Sequence, residues 1–232
     1  MCGRFVLRTP PNRLAEYFDA EVAPGVAESF RPRFNVAPTT DVLALAADAS
    51  GRRTIGRYRW GLVPHWARDP SIGTRMFNAR DDRLASSRAF GPALRRRRLV
   101  VLADGYWEWQ KAPDGGRQPF YFHRPDGHPL AIAGLYEHWR APGGGGQRLS
   151  SCTIVTTAAP PALRAVHDRM PAMVPLGTLD SWLEPGERRP GELIDLLAGA
   201  GPDLDAYPVD KRVGNVRNDD EHLLDPVPLH GA

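Results

Sequence analysis

Glycine and proline cut this chain more finely than any hydrophobic pattern joins it: 23 of each are spread over 232 residues. Proline removes a backbone donor, and both residues weaken strand and helix interiors. Long regular elements are therefore excluded, and the fold has to be assembled from short ones. The apolar runs between the breaks read as strands at 42–47, 54–60, 99–103, 106–110, 119–123, 130–136, 152–157 and 207–209. Helices are predicted at 11–18, where proline opens an apolar stripe of Leu14, Tyr17 and Phe18, and at 160–166, 178–183 and 192–197. Segments 113–116 and 141–146 read as hairpin loops, the second flexible through its four glycines. With no internal repeat or linker-like break, the expectation is an α+β single domain, dominated by strands with short helices around them.

The apolar fraction of 42% and charged fraction of 25% are those of a soluble globule. No apolar stretch approaches the roughly 20 residues of a membrane span, and no leader opens the chain. A cytosolic protein with no membrane role is expected. Two cysteines, Cys2 and Cys152, exclude a disulfide framework, and the usual zinc spacings are absent. Cys152 lies in an apolar run and reads as a buried small hydrophobe. Charge is uneven. Residues 1–100 hold 18 Lys and Arg against 9 Asp and Glu, whereas residues 101–232 hold 12 against 18. The basic half suggests a polyanionic partner. Its densest run, Arg95 to Arg98, reads as a solvated approach to the strand that follows.

The chain begins Met1-Cys2-Gly3-Arg4-Phe5. Once the initiator is removed, Cys2 carries a free α-amine and a thiol on adjacent carbons. The amine condenses with an aldehyde, the sulfur adds to the imine carbon, and a five-membered thiazolidine closes. An α-amine with a pKa near 8 is partly neutral at physiological pH.

Other segments pair reactive groups with rigid backbone. In Trp107-Glu108-Trp109, strand alternation sets both tryptophans on one face and Glu108 on the other with Tyr106 and Gln110. A partly buried carboxylate there can serve as general acid or base; an ordinary solvated strand glutamate is the other reading. His167-Asp168-Arg169-Met170-Pro171 places an imidazole and a guanidinium in one stiff loop after a helix; a surface loop with a helix-capping His is the other reading. In Asn78-Ala79-Arg80, extended backbone would direct Asn78 and Arg80 the same way; a simple turn is the other reading. In the 60–66 segment, Trp60 reads as core and Trp66, beyond Pro64, as an exposed aromatic able to stack on bases. Residues 33–38 read as a similar rigid loop with basic residues at its start.

In this order the pieces resemble the SRAP (SOS response-associated peptidase) family of abasic-site processing proteins. The resemblance runs through Cys2-Gly3-Arg4-Phe5, Phe34-Asn35-Val36-Ala37-Pro38, Trp60-Gly61-Leu62-Val63-Pro64, Asn78-Ala79-Arg80, Ala103 to Trp109, His167 to Pro171 and Val213-Gly214-Asn215-Val216. It covers residues 1–218 as one domain, implies a strand-rich, barrel-like mixed β core flanked by short helices, and leaves 219–232 as a tail of unassigned role.

The resemblance implies a protein that binds single-stranded DNA at an abasic site and traps the ring-opened sugar aldehyde as a thiazolidine crosslink. It implies self-removal of Met1 and a weak strand-cleaving lyase activity through the imine. No metal or organic cofactor and no obligate protein partner are implied, and a monomer is expected. Cys2 would be the nucleophile, Asn78 would orient the amine or sugar, Glu108 would shuttle protons, and His167 would protonate the sugar oxygen. Arg4, Arg80, Arg169 and Arg88 would contact phosphates, while Asn35, Pro38, Trp66 and Thr156 would shape the groove.

Two other functions use the same residues. An N-terminal-nucleophile glutamine amidotransferase also starts with Cys2, but leaves Glu108, His167 and the basic half without roles. A noncovalent single-strand-binding module would use the arginines and tryptophans and leave Cys2 idle.

Overall fold

A computed structural model describes residues 2–111, 115–143, 146, 148–198 and 201–229. The expected loops at 113–116 and 141–146 fall partly outside these residues. Among the described residues, thirteen strands and five α-helices follow in chain order: β1 (Phe5–Leu7), α1 (Pro11–Phe18), β2 (Glu21–Val22), α2 (Val26–Ser29), β3 (Arg33–Val36), β4 (Asp41–Ala47), β5 (Arg53–Trp60), β6 (Asn78–Arg80), α3 (Gly91–Arg96), β7 (Arg98–Ala103), β8 (Gly105–Lys111), β9 (Arg117–His123), β10 (Leu130–Trp139), β11 (Leu149–Ala158), β12 (Arg169–Pro171), α4 (Leu179–Leu183), α5 (Pro190–Leu197) and β13 (Asp205–Pro208). None of the described helices is long and apolar enough to cross a membrane.

The order β11-β10-β7-β4-β5 closes on itself, because β5 and β11 also pair in parallel through Ser151 with Arg59 and Cys152 with Trp60. This makes a five-stranded mixed barrel, so the architecture is the strand-rich α+β domain expected. Strand β7 is buried at every residue, with β4 on one side and β10 on the other. A second sheet, ordered β13-β9-β8-β1-β3, leaves the barrel at the β7–β8 corner. Gly105 turns that corner because a Cβ there would lie 2.5 Å from the Phe122 carbonyl oxygen. Each face of β8 packs on its own cluster. Tyr106 joins the main core with Cys2, Phe5 and Trp60, while Trp107 joins Val6, Tyr121 and Val213.

Three local expectations change. Residues 160–166 form consecutive turns rather than a helix; Leu163 and Arg164 both donate to the Pro160 carbonyl as the tandem prolines start a tight bend. Residues 33–36 are strand β3 rather than loop, paired with β1. The Arg95–Arg98 run ends in the interior, not in solvent. Arg98 is 4% exposed, and its guanidinium donates to the carbonyls of Leu94, Arg95, Trp182, Glu184 and Gly186, so its charge is spread over backbone dipoles that tie α3 to α4.

Candidate active site and nucleic-acid interface

The first residues of the chain are held by an extension of the β1–β8 ladder. Phe5 pairs with Tyr106 and Val6 with Gly105. The Trp107 N–H then donates to the Arg4 carbonyl at 3.0 Å, which continues the ladder and leads Cys2 toward Glu108. Asp104 fixes the other end: its carboxylate accepts from the backbone N–H groups of Arg8 and Thr9 (2.5 and 2.9 Å) and from the Thr9 hydroxyl. Cys2 is fully buried, and its thiol donates weakly to the Arg4 carbonyl at 3.8 Å. Burial pushes the thiol far above its ordinary range, and the negative charge of Glu108 adds to the effect. Tyr106 is raised in the same way by burial, with Cys2 and Glu108 contributing. The thiol is therefore a neutral S–H that needs a base before it can attack.

Asn78 reaches Cys2 directly. Its Nδ2 donates to the Cys2 carbonyl at 2.6 Å. Asn78 opens β6, which runs parallel to β11 with Asn78 opposite Ile154 and Arg80 opposite Thr156. The Phe77 carbonyl just ahead accepts from Ile154 N–H and from the Trp60 indole, so the buried tryptophan anchors this approach. Asn78 Oδ1 is buried and has no hydrogen-bond partner among the described residues. It is an acceptor available to an incoming group.

Glu108 is 5% exposed, so it is not a solvated strand glutamate. Gln110, two residues along the same face, donates to the Ala165 carbonyl at 2.8 Å and ties the 160–168 turns to β8. His167 ends those turns. Its Nδ1 accepts the Arg169 backbone N–H at 3.0 Å and stands 2.9 Å from Asp168.

The expected phosphate and groove residues separate into different environments. Arg4 donates to Asn35 Oδ1 and to the Val213 and Gly214 carbonyls, and its guanidinium lies 5.9 Å over the Trp109 ring. Asn35 does not line a groove. It is 1% exposed because its amide donates to the carbonyls of Val213, Asn215 and Asn218, and this gives the 213–216 segment its role. Thr156 is also fully buried rather than groove-lining; its hydroxyl and carbonyl accept from Arg169. Arg169 further bonds Asp81 at 2.8 Å, so it is committed inside the protein instead of standing free for phosphate. Arg80 pairs with Asp82. Pro38 is half-buried. Trp66 is 41% exposed, and the Arg88 guanidinium sits 5.0 Å over its ring.

Four residues with structural roles here escape a reading by reaction chemistry: Asp81, Asp104, Gln110 and Asp219. Asp104 stands within the Ala103–Trp109 motif and Asp81 directly follows Asn78-Ala79-Arg80. Asp219 accepts from the backbone of Phe34 and Asn35 and pairs with Arg33, Leu223 is fully buried, and Val227 donates to the Pro208 carbonyl, so residues 219–227 pack onto β3 and β13.

A family model described as SOS response associated peptidase (SRAP) matches residues 1–216. The abasic site processing protein YoaM of Bacillus subtilis (strain 168) is 34% identical over 226 residues, covering 97% of this chain and 98% of that protein. The abasic site processing protein YedK of Escherichia coli (strain K12) is 30% identical over 233 residues, covering 98% and 100%. The crystal structure of a Bacteroides thetaiotaomicron protein superposes with a TM-score of 0.84 over 98% of this chain and all of that one; at 20% identity this shows a shared fold.

Proposed function

The chain belongs to the SOS response-associated peptidase family, and from that premise we propose that it processes abasic sites in single-stranded DNA by forming a covalent thiazolidine through Cys2. Relatives that share nearly its whole length are named abasic site processing proteins. The observation that carries the reading is the setting of Cys2: buried, held through its carbonyl by Asn78, and under the field of the Glu108 carboxylate.

The first requirement is loss of Met1 by hydrolysis of its peptide bond, which turns the Cys2 nitrogen into an α-amine. Glu108 serves as the base for that self-processing. The amine then adds to the aldehyde of the ring-opened sugar, and water leaves to give the imine. His167 holds the sugar oxygen and supplies the proton that opens the ring. Glu108 takes the thiol proton, sulfur bonds to the imine carbon, and the proton returns to the ring nitrogen. One water is lost overall, and no cofactor or metal enters. Asn78 Oδ1 orients the amine, which is the role its unpartnered acceptor fits. The imine also permits elimination of the 3′ phosphate, a weak lyase activity. Trp66 with Arg88 offers a stacking surface for a neighbouring base. The protein acts as a monomer on DNA, and residues 1–218 carry the function.

Intact-mass measurement tests the chemistry. Protein lacking Met1, incubated with an abasic oligonucleotide, should give a product equal to the sum of both masses less one water. A noncovalent module would give only the separate masses. An amidotransferase would release ammonia from glutamine and give no adduct.

A further inference from the structure

Two arginine–carboxylate pairs stand side by side at the end of β6, and they differ in kind. In the inner pair, Arg169 is 10% exposed and Asp81 22%. Asp81 also accepts the Thr157 hydroxyl at 2.6 Å, and Arg169 holds Thr156. Burial alone would raise the Asp81 carboxyl, but hydrogen bonds from Thr157 and Arg169 outweigh it and hold the group below its ordinary range. This pair braces the corner between β6, β11 and β12.

The outer pair is open to solvent, with Arg80 43% and Asp82 49% exposed. Its geometry is a two-pronged fork: Arg80 Nε to Asp82 Oδ1 at 3.0 Å, and Nη2 to Oδ2 at 2.8 Å. Asp81 and Asp168 add weaker attraction to the same guanidinium. A bidentate carboxylate occupies the two parallel N–H donors with which arginine grips a phosphodiester. Exposed pairs of this sort are weak and exchange readily.

We infer that Asp82 is a specificity-determining residue, an internal competitor for phosphate that masks Arg80 in the free protein. Undamaged single strands must displace it or forgo the contact, and so bind weakly. A strand carrying the lesion is retained by the bond at Cys2, which the mask does not touch. The inference rests on the reading that Arg80 meets the DNA backbone.

Fluorescence anisotropy with an undamaged single-stranded oligonucleotide, titrated over a range of salt concentrations, tests it on four proteins: wild type, Asp82→Asn, Arg80→Ala and the double variant. Asp82→Asn should bind about two- to fivefold tighter, the size expected for freeing an exposed pair. Its salt dependence should steepen by about 0.7 in log–log slope, one extra phosphate contact on a single strand. Arg80→Ala should bind more weakly, and Asp82→Asn should have no effect in the Arg80→Ala background. An equal gain from Asp82→Asn in both backgrounds would overturn the mask in favour of general charge removal. Weaker binding by Arg80→Ala with no change in Asp82→Asn would overturn the mask alone. Unchanged binding by Arg80→Ala would overturn the contact on which the inference rests.

Discussion

Replacing Asp104 with alanine should both loosen the fold and impair chemistry at Cys2. Its carboxylate accepts three hydrogen bonds, two from the backbone of Arg8 and Thr9 and one from the Thr9 hydroxyl. These bonds lock the outgoing end of β1, whose incoming end carries Cys2. Hydrogen bonds to a charged group contribute about 1.5–3 kcal/mol each. Three bonds to one group do not add fully, and the Arg8 N–H is exposed enough for water to replace its partner. The expected loss is about 2–4 kcal/mol. For a domain of this size each kcal/mol lowers Tm by roughly 2–4 °C, so a fall of about 5–15 °C is predicted. Asp104→Asn keeps one acceptor but loses the charge, and should fall in between. Chemical denaturation gives the free energy, and crosslink formation is followed at a temperature where every variant is folded. A change below about 0.5 kcal/mol, the range of ordinary surface substitutions, with unaltered crosslinking, would refute the reasoning.

Burial pushes the Cys152 thiol well above its ordinary range, with Asp41 adding to the effect. Above about pH 9 the unfolded chain releases this proton while the folded protein keeps it. The unfolded state then binds fewer protons, and stability falls as pH rises, by about 1.36 kcal/mol per pH unit for this group. Cys152→Ala should therefore show a shallower decline between about pH 9 and 11 in denaturation curves; superimposable slopes would contradict the burial argument. Glu108→Gln should slow Met1 removal and crosslink formation, read from quenched time courses, and wild-type kinetics would remove Glu108 from the proton path. Gly105→Ala forces a Cβ against the Phe122 carbonyl and should cost about 1–3 kcal/mol by overpacking; wild-type thermal stability would show that the β7–β8 corner can relax.

Much of the candidate site is legible in the sequence because its chemistry is local. An aminothiol needs only the second position, and strand alternation alone separates Glu108 from Trp107 and Trp109. The fold class follows from short apolar runs between glycines and prolines, and the longer strands fall where those runs lie. What stays hidden depends on partners far along the chain. β3 and β6 are short segments with little pattern of their own; they become strands because β1 and β11 offer open edges. Asn35 looks like a polar groove residue until the 213–218 carbonyls close over it. Arg98 looks solvated because four consecutive arginines rarely enter a core, yet the ends of α3 and α4 supply the acceptors. Arg80 and Arg169 read as phosphate ligands by type, and only the structure shows the aspartates that already hold them.

The central claim is that Cys2 bonds covalently to a ring-opened abasic sugar, and a denaturing gel tests it most directly. Protein shown by mass to lack Met1 is mixed with a single-stranded oligonucleotide bearing one abasic site, and in parallel with the intact strand. The account predicts a protein–DNA band that survives denaturation with the abasic strand alone and disappears in Cys2→Ala. No such band from correctly processed protein, or an undiminished band from Cys2→Ala, would contradict it.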